Sequence, residues 1–404
     1  MAQPGLILFD DRRARAWQPF TLTRPAGELL FGSQKLVERA ERSLGLRCIG
    51  YLTSEHLADF EEVGAPPVLS VEALPADRDS LFWCSRAVIE VDQAIPFPTS
   101  ATLFQIDDRP VGIFSPAGMA PDPSFLEDLT PGSAPLPSVP VRGRLIENIW
   151  DLLLDSPEQL GRDLAASGER PSAGLPAGVY REGGHPLSLG NDVRIEPGVL
   201  FDTREGPIRL ESQVEVRSGT RLSGPALIGP HSRLLGGPIE KITAGPYSYL
   251  QGEVAECVFL GYTNKAHGGH LGHAYVGRWV NLGAFTTNSD LKNNYGSVRL
   301  WTPDGVQDTG RLKLGCFLGD HVKTGIGLLL GTGTVVGAGA NVYGNKMPPR
   351  YVEPFSWGEG DQLGEYRLAD FIETAQAAMA RRGVDLGERG RRYLEYCWRK
   401  GRGG

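Results

Sequence analysis

From residue 189 to residue 342 apolar side chains return every six positions over long stretches. Leu189, Ile195 and Phe201 open the series, and after a phase shift Leu210, Val216, Leu222, Ile228 and Leu234 continue it. Leu312, Leu318, Thr324, Leu330, Val336 and Val342 resume it, with Val276 and Leu282 in the same phase. Gly229, Gly277, Gly283, Gly319, Gly331 and Gly337 directly follow members of the series. A helix repeats every 3.6 residues and a strand every 2, so neither yields this period. Short strands joined by glycine-permitted turns do, and the pattern predicts a hexapeptide β-helix whose inward side chains stack into one continuous core.

The series breaks twice. The first break holds Gly261-Tyr262-Thr263-Asn264-Lys265-Ala266-His267-Gly268-Gly269-His270-Leu271-Gly272-His273 and runs on through Val280-Asn281-Leu282-Gly283-Ala284-Phe285. It gathers three of the seven histidines with a lysine and an asparagine. The second, at 288–311, reads as a projecting hairpin, the kind of loop that contacts substrates. Its Lys292 and Asn293-Asn294 also fit plain turn stabilisation.

Ahead of the repeat, Leu6-Ile7-Leu8-Phe9 ends at Asp10-Asp11 and reads as a buried first strand. A helix is predicted over 33–44, with further strands at 48–52, 81–84 and 87–91. Strands mixed with helices indicate an open α/β sheet with functional loops beyond the strand ends. Pro, Ser and Gly enrich 117–140, 146–164 reads as helical, and 171–178 reads as a linker. Beyond the repeat, 368–381 forms an amphipathic helix with Phe371, Ile372, Ala375 and Met379 on one side, and a second helix spans 388–398. Both read as a cap on the open end of the β-helix, followed by a frayed 399–402 tail. The resulting domains are 1–140, α/β; 141–185, helical segment and linker; 186–350, β-helix; and 351–404, C-terminal helical tail.

A net charge of −7 argues against nucleic acid as a partner. Five scattered cysteines without a C-x-x-C suggest reduced thiols, and no run is long enough to span a bilayer. With no signal-like N-terminus, the expectation is a soluble, cytoplasmic chain without a membrane partner.

In and after the first break, Phe259-Leu260-Gly261-Tyr262-Thr263-Asn264-Lys265-Ala266-His267, Val280-Asn281-Leu282-Gly283-Ala284, Leu291-Lys292-Asn293-Asn294-Tyr295 and Phe355-Ser356-Trp357-Gly358 carry a resemblance. The chain resembles the bifunctional uridylyltransferase/acetyltransferases that make UDP-N-acetylglucosamine, and more closely a set of GlmU-related proteins with the same two-part layout. The resemblance implies a left-handed β-helix, a homotrimer with sites between subunits, and acetyl-CoA as acyl donor. It implies His267 as catalytic base, Asn281 as a sugar contact, Ala284 as a backbone contact to the donor, and His270 where the family has a substrate tyrosine. Lys265 and Lys292 are candidate substrate contacts, Lys265 one residue off the family spacing. Chemically, imidazole accepts a proton near neutral pH, as attack by an amine on a thioester requires. A zinc site is the rival reading, but a spacing of three does not align histidines on one face of a strand, and no metal ligands are assigned.

The N-terminal segment Pro19-Phe20-Thr21, three residues, Pro25 is similar to the opening of sugar-1-phosphate nucleotidyltransferases. The family's glycine-rich loop and Thr-Arg are replaced by Arg12-Arg13-Ala14-Arg15-Ala16, its lysine by Ala26, and its Mg²⁺-holding Gly-Asp falls near Cys84-Ser85-Arg86. Arg13, Arg15 and Arg24, with Arg12, are candidates for nucleotide phosphate, with a solvated surface as the alternative. The resemblance implies sugar-nucleotide biosynthesis: acyl transfer to an amino sugar phosphate, and nucleotidyl transfer with a nucleoside triphosphate and Mg²⁺ if the first domain is active. The alternative is a non-catalytic sugar-nucleotide-binding or scaffold protein.

Overall fold

The computed structural model describes residues 3–75, 77–91, 93–131, 136–168, 172 and 174–403. Pro171 and Ala173 of the expected linker, and 132–135 of the Pro-rich stretch, lie outside the described residues. The chain divides into two compact units. One holds Met1–Leu29, Gln34–Ile149 and Gly387–Lys400; the other holds Leu30–Ser33, Trp150–Leu386 and Gly401–Gly404.

The first unit is built on a six-stranded sheet in the order Cys48–Leu52, Gly5–Phe9, Ser80–Cys84, Arg109–Ser115, Thr102–Ile106, Ser138–Pro140. The first three strands are parallel, and Arg109–Ser115 runs antiparallel to both its neighbours. Gly5–Phe9 is buried at every position, which is why it is an unbroken apolar run rather than an alternating one. The helix expected over 33–44 starts at Leu36, where the Glu38 carboxylate accepts the Lys35 N–H, and stops at Gly45 in the left-handed region. The strand expected at 87–91 is Ala87–Ile89; it leaves the main sheet and pairs antiparallel with Gly143–Leu145.

The second unit is a parallel β-helix with three faces. On one face Leu189, Leu210, Ile228, Ala244, Phe259, Val276, Leu318, Val336 and Val352 stand in successive register. On another, Ile195, Val216, Leu234 and Leu250 lead to Lys265, and Leu282, Thr324 and Val342 follow. Most of the six-residue series is therefore the core, with Phe201, Leu210, Val216, Leu222, Ile228 and Leu234 fully buried. Leu312 is the exception at 50% exposure, because it follows the hairpin Arg299–Thr302/Gly305–Asp308 and precedes the coil that resumes at Phe317.

The aromatic side chains at one corner form a ladder. His231, Tyr247, Tyr262, Trp279 and His321 succeed one another with ring centroids 4.6, 4.9, 4.2 and 6.3 Å apart. All five backbones are left-handed, a conformation that usually costs a side chain energy and is compensated here by ring contacts. The next rung is Gly339, where a Cβ would meet the Phe355 ring at 2.3 Å. Phe371 of the helix Leu368–Ala380 fills that gap, 5.8 Å from His321 and 4.9 Å from Phe355.

That helix buries Phe371, Ile372 and Ala375 but runs along the flank of the second unit rather than over its open end, from Phe371 beside Phe355 to Arg382 over Tyr249 several coils earlier. The second C-terminal helix, Gly387–Gly401, corrects the cap reading. Its Tyr393 packs edge-on to Phe60, and Arg389 and Arg392 pair with Asp59, all in the first unit. Residues 399–401 are helical rather than frayed. Among the described residues, no helix is long and apolar enough to cross a membrane.

Candidate functional site

The polar interruption of the repeat occupies core positions as well as surface ones. Lys265 is an inward residue, stacked on Leu250 and 2% exposed. Its aliphatic stem continues the core, and its Nζ donates to the carbonyls of Gln251 and His267, both at 2.7 Å. Burial pushes its pKa down to about 8. Asn288 is also buried, exchanging hydrogen bonds with the N–H and carbonyl of Gly272, each at 2.8 Å. Lys265 thus holds the peptide of His267 from within and does not face a ligand, which corrects its expected role as a substrate contact.

His267 is exposed at the corner that follows this strand. The register Asn264↔Asn281 sets Ala284 in the next coil at the same corner, and Phe285 N–H donates to Gly268 O at 2.9 Å. The structure therefore brings His267 and Ala284 to neighbouring turns. Asn281 stands one strand away, facing outward, where its Oδ1 accepts from Asn264 Nδ2 at 2.8 Å.

The remaining histidines differ from His267. His273 is 7% exposed and clamped between Asp290 (Nδ1, 2.8 Å) and Glu256 (Nε2, 3.2 Å). Burial disfavours its charge, but these hydrogen bonds outweigh that and raise its pKa to about 9. Charged at neutral pH and held on both nitrogens, this imidazole is not placed to take a proton there. His270 is half-buried, 3.4 Å from Glu253. Its Nε2 and an Asp290 oxygen both lie where a Cβ on Gly272 would stand, so only glycine admits this packing. Lys292 folds back onto its own loop, donating to Ser297 O at 2.9 Å, which is the turn-stabilising alternative for that residue.

In the first unit a cavity of about 490 Å³ opens at the carboxyl ends of Gly5–Phe9 and Cys48–Leu52, lined among others by Asp10, Arg15, Thr53, Ser70 and Glu127. This is where ligands enter open α/β sheets. Arg13 pairs with Glu147, Arg15 with Glu127, and Arg12 with Asp128 at 2.6 Å. Arg24 is 2% exposed and pairs with Glu62 at 3.0 Å, so it is an interior charge rather than a phosphate ligand. Arg15 alone of the candidate arginines lines the cavity.

Arg86, in the stretch expected near the family's metal-holding Gly-Asp, forms a buried pair with Asp11 at 2.5 Å. Asp10 is buried, accepts from Ala26 N at 3.0 Å and Thr53 Oγ1 at 2.7 Å, and has its pKa raised by desolvation. Among the described residues, no three His, Cys, Asp or Glu side chains meet in a metal-sized group. A guanidinium bound to one of two adjacent aspartates does not fit a Mg²⁺ site.

Sequence reasoning missed Lys323, Arg381 and Arg382, which share a cavity with Asn264 and Asn281. The period itself could have found Lys323, because Lys323 pairs directly with Asn281 in the next coil.

Residues 6–170 match the family model described as sugar nucleotidyl transferase. A bifunctional sugar-1-phosphate nucleotidylyltransferase/acetyltransferase of Sulfurisphaera tokodaii is 30% identical over 153 residues, 34% of this chain and 36% of that protein. The bifunctional protein GlmU of Carboxydothermus hydrogenoformans is 26% identical over 248 residues, 51% of this chain and 50% of that one. The chain thus spans from about a third to half of the length of the curated relatives it matches.

Proposed function

We propose, for a chain whose residues 6–170 carry a sugar nucleotidyl transferase domain and whose relatives are GlmU-like bifunctional proteins, a transferase role in sugar-nucleotide biosynthesis, with acyl transfer at the β-helix. The acceptor is an amino sugar phosphate and the donor an acyl-CoA, acetyl-CoA first among them. The neutral amine attacks the thioester carbon, forming the C–N bond. His267 takes the proton released by that nitrogen, and the C–S bond breaks to free the CoA thiolate, to which His267 returns the proton. Backbone N–H groups of the neighbouring coil near Ala284 are suited to face the oxyanion.

The observation that carries this reading is the corner itself. An exposed imidazole has its peptide held by a buried ammonium, with Ala284 on the next turn and Asn281 beside it. The other two histidines of the stretch are engaged by carboxylates. A homotrimer with the corner at a subunit contact accords with the exposure of Phe285 (66%) and Ile326 (78%). Thiol release from acetyl-CoA with a panel of amino sugar phosphates tests the proposal. His267→Ala is expected to lower kcat by about 10²- to 10⁴-fold. Undiminished turnover in that variant overturns it.

A second reading, supported by the position of the cavity at the strand ends rather than by its charge, is binding of a nucleotide or sugar nucleotide in the first unit. Without a fitting metal set, binding without nucleotidyl transfer is the form this site supports. Retention of a nucleoside triphosphate with no release of pyrophosphate, with and without Mg²⁺, is the expected result. If the whole panel binds without any turnover, a non-catalytic sugar-nucleotide-binding protein replaces both activities.

A further inference from the structure

We propose that the cavity between the outward face of the Asn281 strand and the helix Leu368–Ala380 seats the phosphate of a phosphorylated sugar. The cavity measures about 280 Å³, and its cations are Lys323, Arg381 and Arg382. No carboxylate lines it, in a chain whose net charge is −7. None of the three cations has an acid partner among the described residues.

Each cation is presented rather than spent. Lys323 Nζ donates to Trp279 O at 2.8 Å and His321 O at 3.1 Å, and an ammonium carries three donors, so one remains for a ligand. The Arg382 guanidinium lies over the Tyr249 ring, 4.0 Å from its centroid, which orients the fork without neutralising it. Arg381 is exposed at the C-terminal end of the same helix. Asn264 donates to Asn281 Oδ1, leaving the Asn281 amide nitrogen without a partner among the described residues.

Two guanidinium forks and an ammonium around one space match the oxygens of a phosphate dianion. Tyr262 and Trp279 add aromatic surface on which a sugar ring can lie. The size argues for one phosphorylated ring, since sites for larger ligands occupy roughly 300–1,000 Å³. Lys323 lacks a counter-ion and pays desolvation, which lowers its pKa to about 8; a bound dianion would restore its charge. The seat deepens the acyl-transfer reading by giving the acceptor's phosphate a place beside Asn281, and in that respect it rests on that reading.

Calorimetric titration of the full chain with glucosamine 1-phosphate, inorganic phosphate and CoA tests it. Wild type and His267→Ala are expected to bind the sugar phosphate alike. Lys323→Met and the double variant Arg381→Ala/Arg382→Ala are expected to bind it about 10- to 100-fold more weakly, the loss of one or two charge-assisted hydrogen bonds. The double variant changes side chains at the helix end, so it keeps the test decisive if Lys323→Met does not fold. Unchanged affinity in the double variant overturns the proposal, as does absence of saturable sugar phosphate binding to wild type. Weakening confined to CoA would also overturn it, assigning the cations to the donor. Binding lost in the cavity variants with no acyl transfer anywhere keeps the seat and removes the catalytic reading. Turnover lost in His267→Ala, with cavity variants binding normally, does the reverse.

Discussion

The arginines of the first unit and the cations of the β-helix cavity are opposite uses of the same charge. Arg12, Arg13, Arg15, Arg24 and Arg86 each face a carboxylate, and for Arg24 and Arg86 the pair is buried. Lys323, Arg381 and Arg382 line a cavity that contains none. A cation answered by its own chain mainly holds structure, because a ligand must displace or outcompete the resident acid. A cation left facing a cavity adds little to stability and is available for an anion. The contrast explains why a run of arginines, conspicuous in the sequence, is the weaker indication of phosphate, and three scattered cations are the stronger.

The largest expected effect on stability tests the first half of that contrast. Arg86→Met leaves the Asp11 carboxylate buried without its partner and should destabilise the first unit by about 3–5 kcal/mol in chemical denaturation. A change below about 1 kcal/mol would mean that Asp11 is free to bind something else.

His273 comes next. Its folded pKa of about 9 exceeds the ordinary 6.5, so its contribution is fully present below about pH 6.5 and is lost as pH rises through 9. His273→Gln should therefore cost up to about 3 kcal/mol at pH 6 and much less at pH 9.5, read from paired denaturation curves. Lys265 has the opposite sign, since its folded pKa is lowered from 10.5 to about 8. Stability gains from its titration as pH rises from about 8 to 10.5, because there the unfolded chain binds the proton and the folded chain does not. Lys265→Met should remove that rise and cost about 1–3 kcal/mol for each carbonyl left unpaired. It should also lower turnover through His267, whose peptide it holds. The smallest effect belongs to Arg381→Ala, expected to change stability by less than about 0.5 kcal/mol while weakening sugar phosphate binding. A large loss of stability there would erase the contrast.

The β-helix was legible because its core is a one-dimensional stack, so a period in the chain is a column in space. Leu210, Val216, Ile228 and Leu234 were located residue by residue on that basis. The same logic stopped at Lys265, where residue type argued for the surface and register dictated the interior. Only the carbonyls of Gln251 and His267, invisible in a sequence, make a lysine acceptable there. The partners of the N-terminal arginines were hidden for a similar reason, since Glu127, Asp128 and Glu147 lie more than a hundred positions away. Periodicity also cannot say what a helix packs against, and Gly387–Gly401 went to the first unit while Leu368–Ala380 stayed with the repeat. The boundaries drawn at 140, 185 and 350 stay a proposal. The two compact units divide the chain at Ile149 and again around Gly387.

The notch at Gly339 fixes a length. Repeat proteins usually grow or shrink by whole coils, each shifting everything beyond it by about 4.8 Å. Here Phe371 keys its helix to the coil where the run of rings is interrupted, and the same helix carries Arg381 and Arg382 toward the coils of Asn281 and Lys323. A coil inserted between Lys323 and Gly339 would carry the notch, the helix and both arginines away from the lysine together. Coils added before Tyr249 would leave the cavity whole. The protein can thus be lengthened at one end of its ruler and not at the other, and natural variation in coil number should fall on the N-terminal side of Tyr249.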